Sequence, residues 1–253
     1  SGPGISKSGL DLIAAAPEKY RASLLAPREE QTKAMRIGSA LHKLTLEPEA
    51  FSDEFVFAPG INRRTNAGKA EYEAFMAANA GKTILAEDEI DLVSNMAESI
   101  RSRKVFKAIM ASGEAEPSFF WRDAELGTLC KCRPDYLRTD GYIIDLKTTE
   151  DASPEGFARS AEKYRYYVQA AFYMRGVQAV TGEAVKDFIF VAVEKSPPFL
   201  TACYYADDET IQAGNDEVRR LLTLYEECRA VDVWPGYADK ILPLSRPRWA
   251  TTA

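Results

Sequence analysis

One histidine and four cysteines are the only imidazole and thiol ligands in 253 residues. The cysteines, at 130, 132, 203 and 228, are too few and too unevenly spaced for a disulfide framework or a four-cysteine zinc site, so reduced thiols are expected. Cys130-Lys131-Cys132 alone supplies too few donors for zinc, and its thiols read as small core residues. No apolar run approaches the roughly 18 residues of a membrane span, and no basic-then-apolar leader opens the chain. A cytoplasmic protein with no membrane partner is expected. Internal repeats and low-complexity linkers are absent too. That favours one α/β domain over residues 1–253, helical to about residue 110 and sheet-containing from about 111. The first residue is Ser, which fits a processed product or a piece of a longer chain.

Positive charge is also scarce: 38 acids against 32 Lys and Arg give a net charge of −6. This excludes a uniformly basic surface but not an anionic partner, because acids gathered at one site and bases at another give the same sum. Two local basic stretches exist. Pro59–Ala70, PGINRRTNAGKA, contains Arg63, Arg64 and Lys69 and no acid; after Asp239 come Lys240, Arg246 and Arg248 and no carboxylate side chain. With 46% hydrophobic residues, 12 Tyr and 12 Phe, there is ample material for a core, and extended disorder is excluded. Trp121, Trp234 and Trp249 read as core or interface anchors.

Periodicity predicts a helix capped by Ser8 and ended by Pro17, a second over Gln31–Leu46, and two more over Ala67–Ala78 and Glu87–Arg103. Pro117–Arg122, Thr128–Cys132 and Tyr142–Lys147 read as an antiparallel meander. A helix over Pro154–Arg175, strands at Phe188–Val193 and Leu200–Tyr205 and a helix over Asp208–Cys228 complete the pattern.

Chemistry concentrates in Arg133-Pro134-Asp135 and Asp145-Leu146-Lys147. The period of two puts Ile143, Asp145 and Lys147 on one strand face, and Tyr142, Ile144 and Leu146 on the other. A lone D-x-K is ordinarily a surface salt bridge. Here Asp135 ends the preceding strand and Glu116 opens the first, so three acids converge, and they repel unless a divalent cation neutralises them. His42 follows Gly38 by one helical turn, and the missing side chain at Gly38 lets that face approach a neighbour. It reads as a ligand or as a structural hydrogen-bonder. Gln169 and Tyr173 share a helical face whose other side can pack on the sheet, as a polar fringe or as part of a site.

Taken together, GSALH, EPSFFW, CKCRPD, IIDLKTT and YYVQAAFY closely resemble the PD-(D/E)XK nuclease superfamily, and within it the exonuclease VIII (RecE) type of nuclease domain. The likeness runs in order from GPGIS through NRRTNAGK to PRWA. It implies a central mixed β-sheet flanked by helices, with a helical N-terminal part. The implied activity is that of a Mg²⁺-dependent 5′-to-3′ exonuclease on linear double-stranded DNA, releasing 5′-mononucleotides and leaving 3′ overhangs for recombination by strand annealing. A homotetrameric ring and a RecT-type annealing partner are implied as well.

Carried over by residue, His42, Glu116, Asp135, Asp145 and the Leu146 carbonyl would bind one or two Mg²⁺, two being the expected complement, with Mn²⁺ as substitute. Glu114 is the nearby alternative to Glu116. Lys147 would orient or deprotonate the attacking water, and Gln169 and Tyr173 would position the reacting groups. Arg63, Arg64, Asn66 and Lys69 form a candidate DNA clamp. Ser39, with Ser6 or Ser8, is the candidate receiver of the 5′-phosphate. Competing readings are a restriction or repair endonuclease of the same superfamily and a noncatalytic DNA-binding or assembly module.

Overall fold

The computed structural model describes residues 3–27, 31–62, 64–110 and 112–245; Arg63, Arg246, Arg248 and Trp249 lie outside them. Helices α1 (Lys7–Ala15), α2 (Pro17–Leu25) and α3 (Lys33–Leu46) come first. The cap of α1 is Ser6, not Ser8: its hydroxyl accepts from the Gly9 amide. Pro17 does more than stop α1. It occupies the first position of α2, where its missing N–H costs nothing. Thr32 caps α3 by accepting from the Met35 amide, so α3 starts two residues after Gln31. A short α4 (Phe51–Glu54) leads into β1 (Phe55–Phe57), and an excursion carrying α5 (Asn66–Ala78) returns as β2 (Thr83–Leu85), parallel to β1. Then come α6 (Glu87–Ser102) and α7 (Lys104–Ile109).

The second part holds β3 (Gly113–Ala115), β4 (Phe119–Arg122), β5 (Leu129–Cys132), β6 (Tyr136–Arg138) and β7 (Tyr142–Thr149). It continues with α8 (Pro154–Lys163), α9 (Tyr166–Thr181), β8 (Asp187–Glu194), β9 (Thr201–Tyr205) and α10 (Asp208–Val231). The predicted three-strand meander does not form. β4 and β5 form a two-stranded sheet of their own, with Ile5 bridging parallel to Cys130 of β5, while β7 is the centre of a mixed sheet ordered β3-β6-β7-β8-β9. Pro134 has no N–H to continue β5. The three-residue β6, too short to show alternation, pairs with β7 instead. The helix predicted from Pro154 also divides, because Arg165 takes the left-handed conformation (φ 56°) between α8 and α9.

β7 and the adjacent parallel β8 are covered on both faces. Ile143, Phe188 and Phe190 point to a core shared with Val168 and Phe172 of α9 and Leu221 of α10. Ile144, Leu146, Val191 and Val193 point to a second core, with Leu41 of α3 and Val93, Met96 and Ile100 of α6. Each fully buried Leu, Ile or Phe side chain contributes about 1.5–3 kcal/mol by leaving water, so both halves of the chain are held to this sheet. The β4–β5 hairpin packs on α9, where Trp121 stands 4.9 Å from Phe172 and a Cβ at Gly176 would fall 2.5 Å from the Trp121 ring. Cys130 and Cys132 are buried in that contact, as the sequence indicated. Among the described residues, no helix is long and apolar enough to cross a membrane.

Candidate active site

The alternation of β7 turns Asp145 and Lys147 toward α9. Asp145 is fully buried, one carboxylate oxygen paired with the Lys147 ammonium and the other accepting from Gln169 Nε2 at 2.6 Å. Asp135 comes from the Arg133–Asp135 connection between β5 and β6. Its Oδ2 accepts from the Leu146 amide at 2.7 Å, and its Oδ1 lies 3.3 Å from His42 Nδ1. The other ring nitrogen of His42 is 3.1 Å from the Leu146 carbonyl oxygen. Both partners of the imidazole are acceptors, an arrangement that favours the doubly protonated ring. Burial opposes that charge, but Asp135 and then Asp145 hold the His42 pKa above its ordinary value. Gly38 plays no part in this approach: a Cβ there would meet nothing within 4 Å. His42 reaches inward because Ala40 and Leu41 seat α3 against the core.

Two carboxylates, one ammonium and one imidazolium thus balance. Burial, reinforced by the like charge of Asp135, pushes the Asp145 carboxyl up to about 6, although Lys147 opposes the rise. Asp135 goes the other way. Its burial is outweighed by His42, Lys147 and the Leu146 amide, which hold it below the usual carboxylate range. Burial would likewise lower Lys147, yet Asp145 and Asp135 keep its pKa above the ordinary lysine value. A proline-aspartate pair and a D-x-K strand joined in this way are the PD-(D/E)XK pattern in three dimensions. Residues 6–244 match the family described as a PDDEXK-like domain of unknown function, DUF3799.

The chain belongs to this PDDEXK-like family. No curated protein matches it in sequence. Its fold is similar to the crystal structure of a candidate exonuclease from Eubacterium rectale, 15% identical with a TM-score of 0.61, covering 99% of this chain and 93% of that one. An alkaline exonuclease from Laribacter hongkongensis is 18% identical, with a TM-score of 0.33 and coverage of 64% of this chain and 84% of that one.

PDDEXK nucleases generally use divalent metals, and the donor set here fits one. Among the described residues, no three His, Cys, Asp or Glu side chains are already gathered as a cage. Mg²⁺ does not require one, since it keeps several waters and takes one or two carboxylates. Asp135 and Asp145 are two such carboxylates, and His42 and Lys147 now hold the compensating charge beside them. Glu116 is not on a strand. It has a left-handed backbone (φ 50°), its amide donates to the Asp135 carbonyl at 2.9 Å, and its half-buried carboxylate lies 3.4 Å from Arg133. Glu114, on β3, is exposed.

Gln169 and Tyr173 close the inner end of a cavity of about 530 Å³. Lys7, Lys131 and Arg133 bring three cations to its wall, and Ser6 and Ser8, whose hydroxyls are 2.9 Å apart, bring hydroxyls. Burial, then Asp145 and Asp135, raise the Tyr173 phenol well above its ordinary value, so it stays protonated. Ser39 is exposed on α3 and does not line this cavity. In the basic loop the described residues Asn62, Arg64 and Thr65 are tied by local hydrogen bonds. The Asn62 side chain accepts from the Arg64 amide and Thr65 caps α5 through the Gly68 amide, with a Cβ at Gly68 falling 2.1 Å from the Asn62 carbonyl oxygen. Asn66 is therefore the first residue of α5 and not its cap, while Arg64 and Lys69 stand in solvent.

Sequence reasoning passed over Tyr166. Its ring centroid is 4.8 Å from the Lys147 ammonium, a cation–π contact that joins Asp145 in fixing the lysine. The ring is aimed by the break at Arg165. Lys7 donates to the Tyr164 carbonyl at 2.7 Å, and Arg165 pairs with Asp11 at 3.5 Å and Glu217 at 2.6 Å. The available signal was the first Tyr of YYVQ, three residues before Gln169 and so on the same helical side.

Proposed function

We propose that the chain is a divalent-metal-dependent deoxyribonuclease of the exonuclease VIII kind, acting on linear duplex DNA from 5′ ends. It would release 5′-mononucleotides and leave 3′ single strands for recombination by annealing. The observation that carries this reading is the single connected cluster of His42, Asp135, Asp145, Lys147 and Gln169 beside a cavity with three cations.

Asp135, Asp145 and the Leu146 carbonyl would hold the metal, with His42 and Glu116 as further ligands and two Mg²⁺ as the proposed complement; Mn²⁺ also suits the imidazole. When bound, a divalent cation polarises the scissile phosphate and lowers the pKa of a coordinated water. His42 must give up a proton to serve as ligand. Lys147, kept charged by Asp145 and Asp135, donates to the attacking water or a phosphate oxygen. Gln169 fixes the Asp145 carboxylate, and the protonated Tyr173 donates inside the cavity. Lys7, Lys131, Arg133, Ser6 and Ser8 suit a terminal 5′-phosphate, and Ser39 would meet the strand farther out. Arg63, Arg64, Asn66 and Lys69 would touch the duplex backbone. A homotetrameric ring in the cytoplasm feeding a RecT-type partner completes the reading.

End-labelled linear duplex and supercoiled closed circles, each incubated with Mg²⁺, test it. Labelled 5′-mononucleotides from the linear form and intact circles are expected. Nicked circles would move the reading to an endonuclease. Inertness toward both substrates with Mg²⁺ and with Mn²⁺ would favour a binding module.

A further inference from the structure

Strand β4 keeps the alternation of a half-buried strand, but one outward residue breaks its chemistry. Phe119 and Trp121 are buried in the core, which leaves Phe120 and Arg122 facing outward. Arg122 is tied to the hairpin's own turn, donating to the Gly127 carbonyl at 3.0 Å. Phe120 keeps a large ring 46% exposed. A single exposed phenylalanine on open surface is ordinary, but this one lines the 530 Å³ cavity that ends at Gln169 and Tyr173. Its neighbours there are cations. Lys131 is its direct partner across the β4–β5 ladder, which brings the two Cβ atoms to about 5 Å, and Arg133 follows on the same wall.

That combination selects one class of ligand. A bare phosphate group is satisfied by Lys7, Lys131, Arg133 and the hydroxyls of Ser6 and Ser8, and it gains nothing from an exposed ring. An apolar ligand gains from the ring and nothing from three cations. A nucleotide gains from both, because its base offers a flat π face for stacking while its phosphate meets the charge. The cavity is also of the right size, within the range of about 300–1,000 Å³ typical of small-ligand clefts. The ring stands on a rigid support. Trp121 packs on Phe172 of α9 on the far side of the hairpin, and Ile5 bridges to Cys130 along β5, so little backbone has to be ordered when a base arrives.

We propose that Phe120 is the stacking platform of a nucleobase subsite, which takes the base of the nucleotide at the 5′ end of a DNA strand while Lys7, Lys131 and Arg133 hold its terminal phosphate. Stacking tolerates any base, so the end is read without sequence preference. The subsite rests on the nuclease reading for its choice of DNA, but stacking needs neither metal nor hydrolysis.

Fluorescence anisotropy without divalent metal tests it on three 5′-phosphorylated duplexes, each closed at the far end by a labelled hairpin loop. One is intact, one lacks the base of the 5′-terminal nucleotide, and one lacks the base of the 3′-terminal nucleotide opposite, which removes the same base pair. The parent should bind the intact end about tenfold more tightly than the end without the 5′ base, and should treat the end without the 3′ base as intact. Phe120→Ala should bind all three as weakly as the parent binds the end without the 5′ base. Phe120→Trp keeps a ring and should restore the difference. The position is exposed, so neither substitution opens the core. A parent that binds none of the three, or binds the intact and 5′-abasic ends equally, overturns the proposal. Discrimination that survives Phe120→Ala overturns it as well, and so does sensitivity to the 3′ base alone, which would put the opposite strand on the ring. Hydrolysis of linear duplex with Mg²⁺, measured separately, keeps the two readings apart: cutting without sensitivity to the terminal base sinks the subsite alone, and sensitivity without cutting sinks the nuclease alone.

Discussion

The corner at β7 and the excursion between β1 and β2 handle charge in opposite ways. At β7 the charged groups come from positions as distant as 42 and 147, and each is defined by its neighbours: Asp145 by Lys147 and Gln169, Asp135 by His42 and the Leu146 amide. In the excursion Arg64 and Lys69 are close in sequence yet stand in water, and the contacts beside them are local ones from Asn62 and Thr65. Two unit charges about 4 Å apart interact by about 1 kcal/mol in water and about 4 kcal/mol at the effective dielectric of a protein surface. Nearness in sequence thus produces a charged patch, whereas removal of water produces coupling. Chemistry is expected where charges are coupled, and adjustable affinity where they are not.

The largest test of that contrast is Asp145→Asn. It keeps a partner for Gln169 and removes the buried charge, and hydrolysis of linear duplex should fall by about 10³-fold or more. The fold should survive. The raised Asp145 carboxyl contributes stability that is full below its ordinary pKa of 3.8 and is lost as pH rises through about 6. Melting temperatures of the metal-free parent and variant should therefore diverge across that window, the parent losing more as pH rises. Parallel curves would show that the acid is not shifted.

Next in size is His42→Ala, which removes the link between Asp135 and the Leu146 carbonyl. Calorimetric titration with Mn²⁺ should show affinity weakened about 10–100-fold. Unchanged affinity would leave His42 a structural hydrogen-bonder.

Tyr166→Leu should lower kcat about tenfold with little change in KM and move the alkaline limb of the rate profile to lower pH, because the Lys147 ammonium loses its aromatic support. Tyr166→Phe keeps the ring and should restore both. A Phe variant as poor as Leu would assign the effect to packing or to the hydroxyl.

The smallest effect is expected from Arg64→Ala with Lys69→Ala. Duplex affinity should fall several-fold, and the slope of log affinity against log salt should flatten by about 0.9 for each lost phosphate contact. Metal titration should not change. An identical salt slope would make the excursion a solvated connection.

Much of the site was legible because its parts are short and periodic. The alternation along Tyr142–Thr149 sorted Ile143 from Ile144 and put Asp145 beside Lys147, and the one-turn spacing placed Gln169 with Tyr173. The partners of those strands were not legible. β6 is three residues long, as are β1, β2 and β3, and a strand that short carries no readable period. The sequence pattern puts Glu116 at the opening of a strand, but its left-handed backbone places it in the link between β3 and β4, where its amide braces Asp135.

Local sequence alone determined the long helices α3, α5, α6 and α10, the two-faced β7 strand and the residue types able to hold a hard cation, since these depend on neighbours a few positions away. Only the tertiary structure decided that β6 separates β5 from β7, that Arg165 breaks a helix to aim Tyr166, and that His42 reaches a carbonyl 104 residues away. Such contacts depend on long loop closures, side-chain packing and the exclusion of water, none of which leaves a periodic trace in the chain.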